Sequence, residues 1–228
     1  MKEPSDLHRR RLLQFGAGLP LLALLPACTD IVPGQRPAPD FYRLTPKSTF
    51  SEGLPYAEWQ LVLEPPVANA GLATTRIALS QAPLEVKYYA RSSWTDRAPQ
   101  MVQTLMIESF ENSERIVSIG RESLGLRSDF VLKSELREFQ AEYYDLEAGT
   151  GPRIRVNLSA KLVQMPRRVI VASESFERIE LAAADNIQAV VEAFDTALGG
   201  VLRDLVAWTI LTGEERYTPP EQPEAPES

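Results

Sequence analysis

Histidine and cysteine are almost missing from this chain. Its single histidine is His8 and its single cysteine is Cys28, both near the start. Beyond Cys28 there is no imidazole, no thiol and no pair of cysteines to join. That excludes Ser-His-Asp and Cys-His catalysis, zinc sites built from Cys and His and any disulfide framework. Candidate chemistry is confined to Asp, Glu, Lys, Tyr, Ser and Thr. Positive charge is also short, with 24 Lys and Arg against 31 Asp and Glu, a formal net charge of −7. Residues 1–27 carry Lys2, Arg9, Arg10 and Arg11 against Glu3 and Asp6, so the remainder carries −9. An acidic surface argues against a nucleic-acid partner, which requires Lys and Arg to neutralise phosphate. It equally argues against attachment to anionic lipid by net charge alone. Finally, no apolar run reaches the roughly 20 residues of a membrane span.

What is present begins with Arg9-Arg10-Arg11, followed by the apolar stretch Phe15 to Leu25, which holds Gly16, Gly18 and Pro20. A basic start and a short, weakly helical apolar region describe a secretory signal. Leu25-Pro26-Ala27-Cys28 stands where a lipobox would stand, with Pro26 replacing the usual small residue. Cys28 is therefore the expected lipid-attachment residue, carrying acyl chains such as palmitate. Arg9 to Gln14 fits both a twin-arginine signal and the basic region of the general secretory route. Thr29 to Asp40 holds Pro33, Pro37, Pro39 and Gly34. It reads as an extended tether, which at ~3.1 Å per residue over about 10 residues reaches about 30 Å.

The expected organisation is a signal peptide over 1–27, a tether over 28–39, one periplasmic domain over 40–212 and an acidic, proline-rich disordered tail over 213–228. Strands are expected at Asp40–Leu44, Trp59–Leu63, Arg76–Leu79 and Leu84–Tyr89, with a turn or short helix at Asn69–Leu72. A first helix is expected after Trp94, capped by Thr95 or Asp96 and buried through Met101, Val102, Leu105, Met106 and Phe110. Ile116–Ile119 reads as a short buried strand.

A long antiparallel system follows. Over Phe130 to Leu146 the apolar phase is even at Phe130, Leu132 and Leu136, then odd at Phe139, Ala141 and Tyr143. A switch of one residue predicts a β-bulge near Arg137-Glu138. After a turn at Gly149–Pro152, Ile154, Val156, Leu158, Ala160 and Leu162 alternate with polar residues, one face buried and one wet. Met165-Pro166 turns the chain into a third strand, Val169–Phe176. Asp185 is the expected cap of the last helix, with Gln188 at the capping-box position. Gly199-Gly200 predicts close packing on a strand or a kink, and Gly213 predicts the helix end. The fold class is thus α/β (α+β), a mixed sheet with long antiparallel strands packed by two main helices.

Little here reads as catalytic or metal-binding. Glu135 and Glu138 flank Arg137, but such a spacing points to opposite faces of a strand unless the bulge realigns them. Gly120-Arg121-Glu122-Ser123-Leu124-Gly125 has one residue too many before the serine for a nucleophile elbow. Trp94 is either a ligand contact or a core aromatic at the helix start. Asp96, Asp185 and Asp195 are scattered. No catalytic residue, metal or cofactor is assigned, and ligand-binding residues stay unassigned.

The order of pieces carries a resemblance. The lipobox and tether precede Phe41-Tyr42-Arg43-Leu44, then Tyr88-Tyr89-Ala90 leading to Trp94, then Leu136 to Phe139. Last comes Ala189-Val190-Val191-Glu192-Ala193-Phe194-Asp195-Thr196-Ala197-Leu198 leading to Trp208. Over roughly 40 to 212 this resembles the ABC-type transport auxiliary lipoproteins, the PqiC-like family. The resemblance implies an anticodon-binding-like sandwich similar to the N-terminal domain of TolB-type proteins. It also implies non-catalytic work in an ABC/MCE-type envelope lipid transport system, beside an MCE-domain protein and an inner-membrane permease. The lipid anchor would hold the domain in the periplasm, at the outer membrane since Thr29 follows Cys28. Asp30 keeps inner-membrane anchoring as the alternative. A lipid-binding carrier domain is the competing function, and a carboxylate-dependent hydrolase a third. The ribbon of Phe130–Leu146 with Arg153–Gln164 is expected to offer a sheet edge, for self-association or for docking the transporter.

Overall fold

The structure is a computed structural model that describes residues 38–121, 128–146 and 150–219. Nine strands form one mixed sheet: β1 (Asp40–Tyr42), β2 (Ala57–Leu63), β3 (Val67–Ala68), β4 (Arg76–Ser80), β5 (Lys87–Trp94), β6 (Ile116–Arg121), β7 (Phe130–Glu142), β8 (Arg153–Gln164) and β9 (Val169–Leu181). Helix α1 (Ala98–Ser113) lies between β5 and β6, and α2 (Ile187–Arg216) closes the order.

Strand β7 is the spine. Along one edge it takes three short parallel strands in succession: β2 at Phe130–Leu132, β3 at Glu135–Leu136 and β4 at Gln140–Glu142. Along the other it pairs with β8 over its whole length, and β8 pairs with β9. The sheet then continues outward from β2 to β6 and from β4 through β5 to β1. The register of β7 on β8 shifts between Leu136 and Glu138, so the bulge lies where the apolar phase changes.

Both helices cover the same face of this sheet. The alternating residues of β8, from Ile154 to Leu162, are wholly buried there. Trp94, Phe139 and Phe194 meet with ring centroids 4.9 to 5.6 Å apart, and Trp59 meets Phe130 edge-on at 5.0 Å. Rings this large, packed edge to face or tilted, fill the layer between sheet and helices. Trp94 is therefore a core aromatic. In α1, Met101, Val102, Leu105, Met106 and Phe110 are buried at the expected helical spacing. Buried Gln103 donates from Nε2 to the carbonyl of Leu63 at 2.9 Å, satisfying the end of β2.

Several boundaries differ from expectation. Leu84–Val86 forms a turn rather than a strand start, and β5 runs on to Trp94. Strand β6 is an edge of the sheet and only half-buried. Strand β9 extends to Leu181 instead of Phe176. The N-cap of α1 is Arg97, whose amide is bonded by the Asp96 carboxylate, and no side chain caps the helix. The N-cap of α2 is Asn186, accepting from the amide of Ala189, while Asp185 accepts from the Tyr143 hydroxyl. Gln188 bonds Glu192 on its own helix instead of closing a capping box.

The glycines of α2 have packing roles. Gly213 lies inside the helix, which runs on to Arg216; a Cβ there would fall 2.2 Å from the Trp59 ring. At Gly200 a Cβ would press the Arg178 side chain of β9 at 3.1 Å, so that glycine admits close packing on a strand, while at Gly199 a Cβ would meet only Lys47 at 3.9 Å; the helix runs through both without a break.

Candidate functional site: the open face and free edge of the ribbon

The bulge in β7 gives the open face its chemistry. By passing Arg137 it returns Glu138 to the face that carries Lys133 and Glu135, so Glu135 and Glu138 share one side with Glu142. Glu135 is spent on Arg137, with Oε2 and Nε 3.0 Å apart, an exposed ion pair of small energetic consequence. Glu138 is half-buried and stands beside Glu142 and Glu177. Burial pushes its carboxyl above the usual range; the Arg155 charge opposes that, and Glu142 and Glu177 reinforce it.

Glu142 is the buried charge of this face. Its Oε1 accepts from Arg155 Nε at 2.8 Å and its Oε2 from Arg153 Nη2 at 3.3 Å. Arg155 reaches across to β9 and donates from Nη1 to Glu177 at 2.7 Å. Burial alone would raise the Glu142 carboxyl, but hydrogen bonds from Arg155 and Tyr144, with the charges of both arginines, hold it below the usual range. The bond to Glu142 raises the Arg155 guanidinium in turn. This is a clamp joining β7, β8 and β9. Glu142, Arg153, Arg155 and Glu177 are each ion-paired, and among their buried polar atoms Arg153 Nε has no hydrogen-bond partner. The clamp forms the floor of an open cavity of about 550 Å³, whose rim is Pro83, Leu84 and Val86 from the β4–β5 turn. Leu84 is fully exposed and takes φ 67°, a left-handed conformation uncommon for a side chain of its size.

Strand β9 supplies the edge. Among the described residues it pairs only with β8, leaving one side of a thirteen-residue strand open. On the open face its last residues are Ile179 and Leu181, 47% and 56% exposed. Long edge strands that expose apolar side chains invite pairing with another chain. The sequence placed the edge on β7 or β8, but both are interior strands; β9 was missed because its alternation is weak. That weakness has a physical origin, since only Phe176 of β9 is fully covered by α2.

The remaining candidates separate. Asp96, Asp185 and Asp195 lie apart, and Asp195 accepts from the amide and hydroxyl of Thr45. Among the described residues no group of three His, Cys, Asp or Glu could hold a metal ion, and no helix is long and apolar enough to cross a membrane. Cys28 and Ser123 lie outside the described residues.

Comparison with known proteins agrees with this architecture. A crystal structure of a DUF330-family protein from Xanthomonas campestris superposes with a TM-score of 0.73 at 29% identity, covering 77% of this chain and 97% of that one. A second solved structure, of an uncharacterized protein, shares the fold with a TM-score of 0.58 at 12% identity, covering 75% of this chain and 97% of that one. An uncharacterized protein of Bradyrhizobium diazoefficiens is 30% identical over 157 residues, 66% of this chain but only 39% of that protein's length. The model of the ABC-type transport auxiliary lipoprotein component matches residues 42–206, and the chain belongs to that family.

Proposed function

We propose that this chain is a non-catalytic docking subunit of an ABC/MCE-type envelope lipid transport system. Acyl chains on Cys28 tether it at the outer membrane, and the domain over 40–212 works in the periplasm. The observation that carries the reading is the free β9 edge with exposed Ile179 and Leu181, set beside a charge clamp whose carboxylates, Glu142 and Glu177, are both held by arginine. Main-chain groups of such an edge supply affinity for an added strand, and flanking side chains supply selectivity. The partners on this reading are the MCE-domain protein and the inner-membrane permease. The filled aromatic interior weighs against the alternative of a carrier that holds an acyl chain between sheet and helices.

Two measurements test it. Affinity purification of the full chain from membranes should bring down an MCE-domain protein and a permease; their absence contradicts the partner assignment. Cys28→Ala should release a folded domain that fails to restore function in a deletion strain, and full restoration would rule out tethering.

A further inference from the structure

The open face changes character towards the other end of the ribbon. The registers align Val62, Val131, Val163 and Ile170 in one row across β2, β7, β8 and β9. The first three are buried together with Met165 packed on them, while Ile170 is 56% exposed. The next row on the same face sets Lys133 directly opposite Lys161. Arg168, in the turn entering β9, stands at the same groove with φ 55°. The groove holds about 390 Å³ and its single carboxylate, Glu64, is paired with Lys133. Among the described residues Lys161 and Arg168 have no ion-pair partner.

Two local costs coincide here. Like charges directly opposed on neighbouring strands repel, and Glu64 offsets only the Lys133 side of the pair; the apolar Ile170 side chain, 56% exposed at the end of the valine row, is unfavourable in water. A chain of net charge −7 nevertheless gathers three cations around that floor. A ligand with an anionic head and an apolar body relieves both costs at once. Basic groups beside a bilayer attract anionic lipid headgroups, and the volume falls at the lower end of ligand sites.

We propose that this groove binds an anionic bilayer lipid, its phosphate between Lys161 and Arg168 and its first methylenes on Val131, Val163, Met165 and Ile170. The inference goes beyond the docking role and is independent of it: the groove lies at the Val169 end of β9, the docking edge at the Leu181 end.

The test uses the full chain purified from membranes and placed in phosphatidylcholine nanodiscs. These are doped with phosphatidylglycerol or phosphatidylcholine bearing a photoactivatable group high on the acyl chain. Adducts should concentrate on the peptide spanning Met165–Ile170, at least about tenfold more with phosphatidylglycerol. Lys161→Glu with Arg168→Glu should reduce that labelling to the phosphatidylcholine level, with circular dichroism unchanged. Lys161→Gln with Arg168→Gln should give an intermediate loss. Equal labelling by the two headgroups, or labelling that survives charge reversal, overturns the proposal. Excess inorganic phosphate that abolishes labelling overturns the acyl contact, and an acidic protein occupying the patch in place of the probe overturns the lipid.

Discussion

The two faces of β8 follow opposite rules. On one, Ile154, Val156, Leu158, Ala160 and Leu162 are wholly buried beneath α2 and its neighbours. On the other, Arg153, Arg155, Asn157, Ser159 and Lys161 meet glutamates, solvent or each other. The covered face tolerates almost no change of volume, because its partners are fixed rings and helix backbone. The open face holds its shape through charge pairs that pH and substitution can alter. Stability therefore resides on the first and recognition on the second.

The largest break in that comparison is Phe194→Ala, which removes the ring between Trp94 and Phe139. Chemical denaturation should show a loss of about 3–5 kcal/mol. Exposed Ile179→Ala on the other face should change stability by less than about 0.5 kcal/mol. Glu142→Gln should destabilise by about 2–3 kcal/mol at neutral pH, since Arg153 and Arg155 lose a buried counter-charge.

The pH dependence separates the two glutamates. The folded-state carboxyl of Glu142 lies below its ordinary value, so its contribution is complete above that value and fades as pH falls through the lowered one. The gap between wild type and Glu142→Gln should close in acid. Glu138 has the opposite sign. Its raised carboxyl stabilises the fold only when protonated, and that contribution disappears as pH rises through the raised value.

Two glycines in α2 sharpen the contrast. Gly213→Ala should cost about 1–3 kcal/mol, because the new Cβ meets the Trp59 ring. Gly199→Ala, whose Cβ would meet only the flexible end of Lys47 at 3.9 Å, should gain about 0.5–1 kcal/mol from helix propensity. If both substitutions destabilise alike, close packing at Gly213 is not the reason for that glycine. The smallest effect is on the open face: Glu138→Gln should raise stability by a few tenths of a kcal/mol at neutral pH and by nothing in acid. Thermal melts at two pH values check this.

Much of the fold was legible because single-strand patterns reported it. The alternation in β8 and the phase change in β7 named their own faces and their bulge, since period-2 patterns depend on one strand and one core. The apolar stripe of α1 did the same. What stayed hidden depended on distant residues. Gly213 looks like a helix stop, and only Trp59, far away in sequence, shows that it is a close-approach site. Asp185 and Asn186 are equally good caps, and Tyr143 decides between them by taking Asp185. The three parallel strands on one edge of β7 are short, and β3 has only two residues, too few to leave a pattern. Of the site, the glutamates of β7 were visible but their shared face awaited the bulge. The β9 edge was concealed by its weak alternation, since only Phe176 is fully covered.

The most direct measurement places a photo-crosslinking amino acid at Ile179 on the β9 edge and, separately, at Val117 on the exposed β6 edge, in cells that make the full chain. Crosslinked products from membranes are then identified by mass spectrometry. The expected result is an adduct between Ile179 and an MCE-domain protein or permease, with none from Val117. Equal adducts at both positions, or adducts from Val117 alone, would contradict docking through β9.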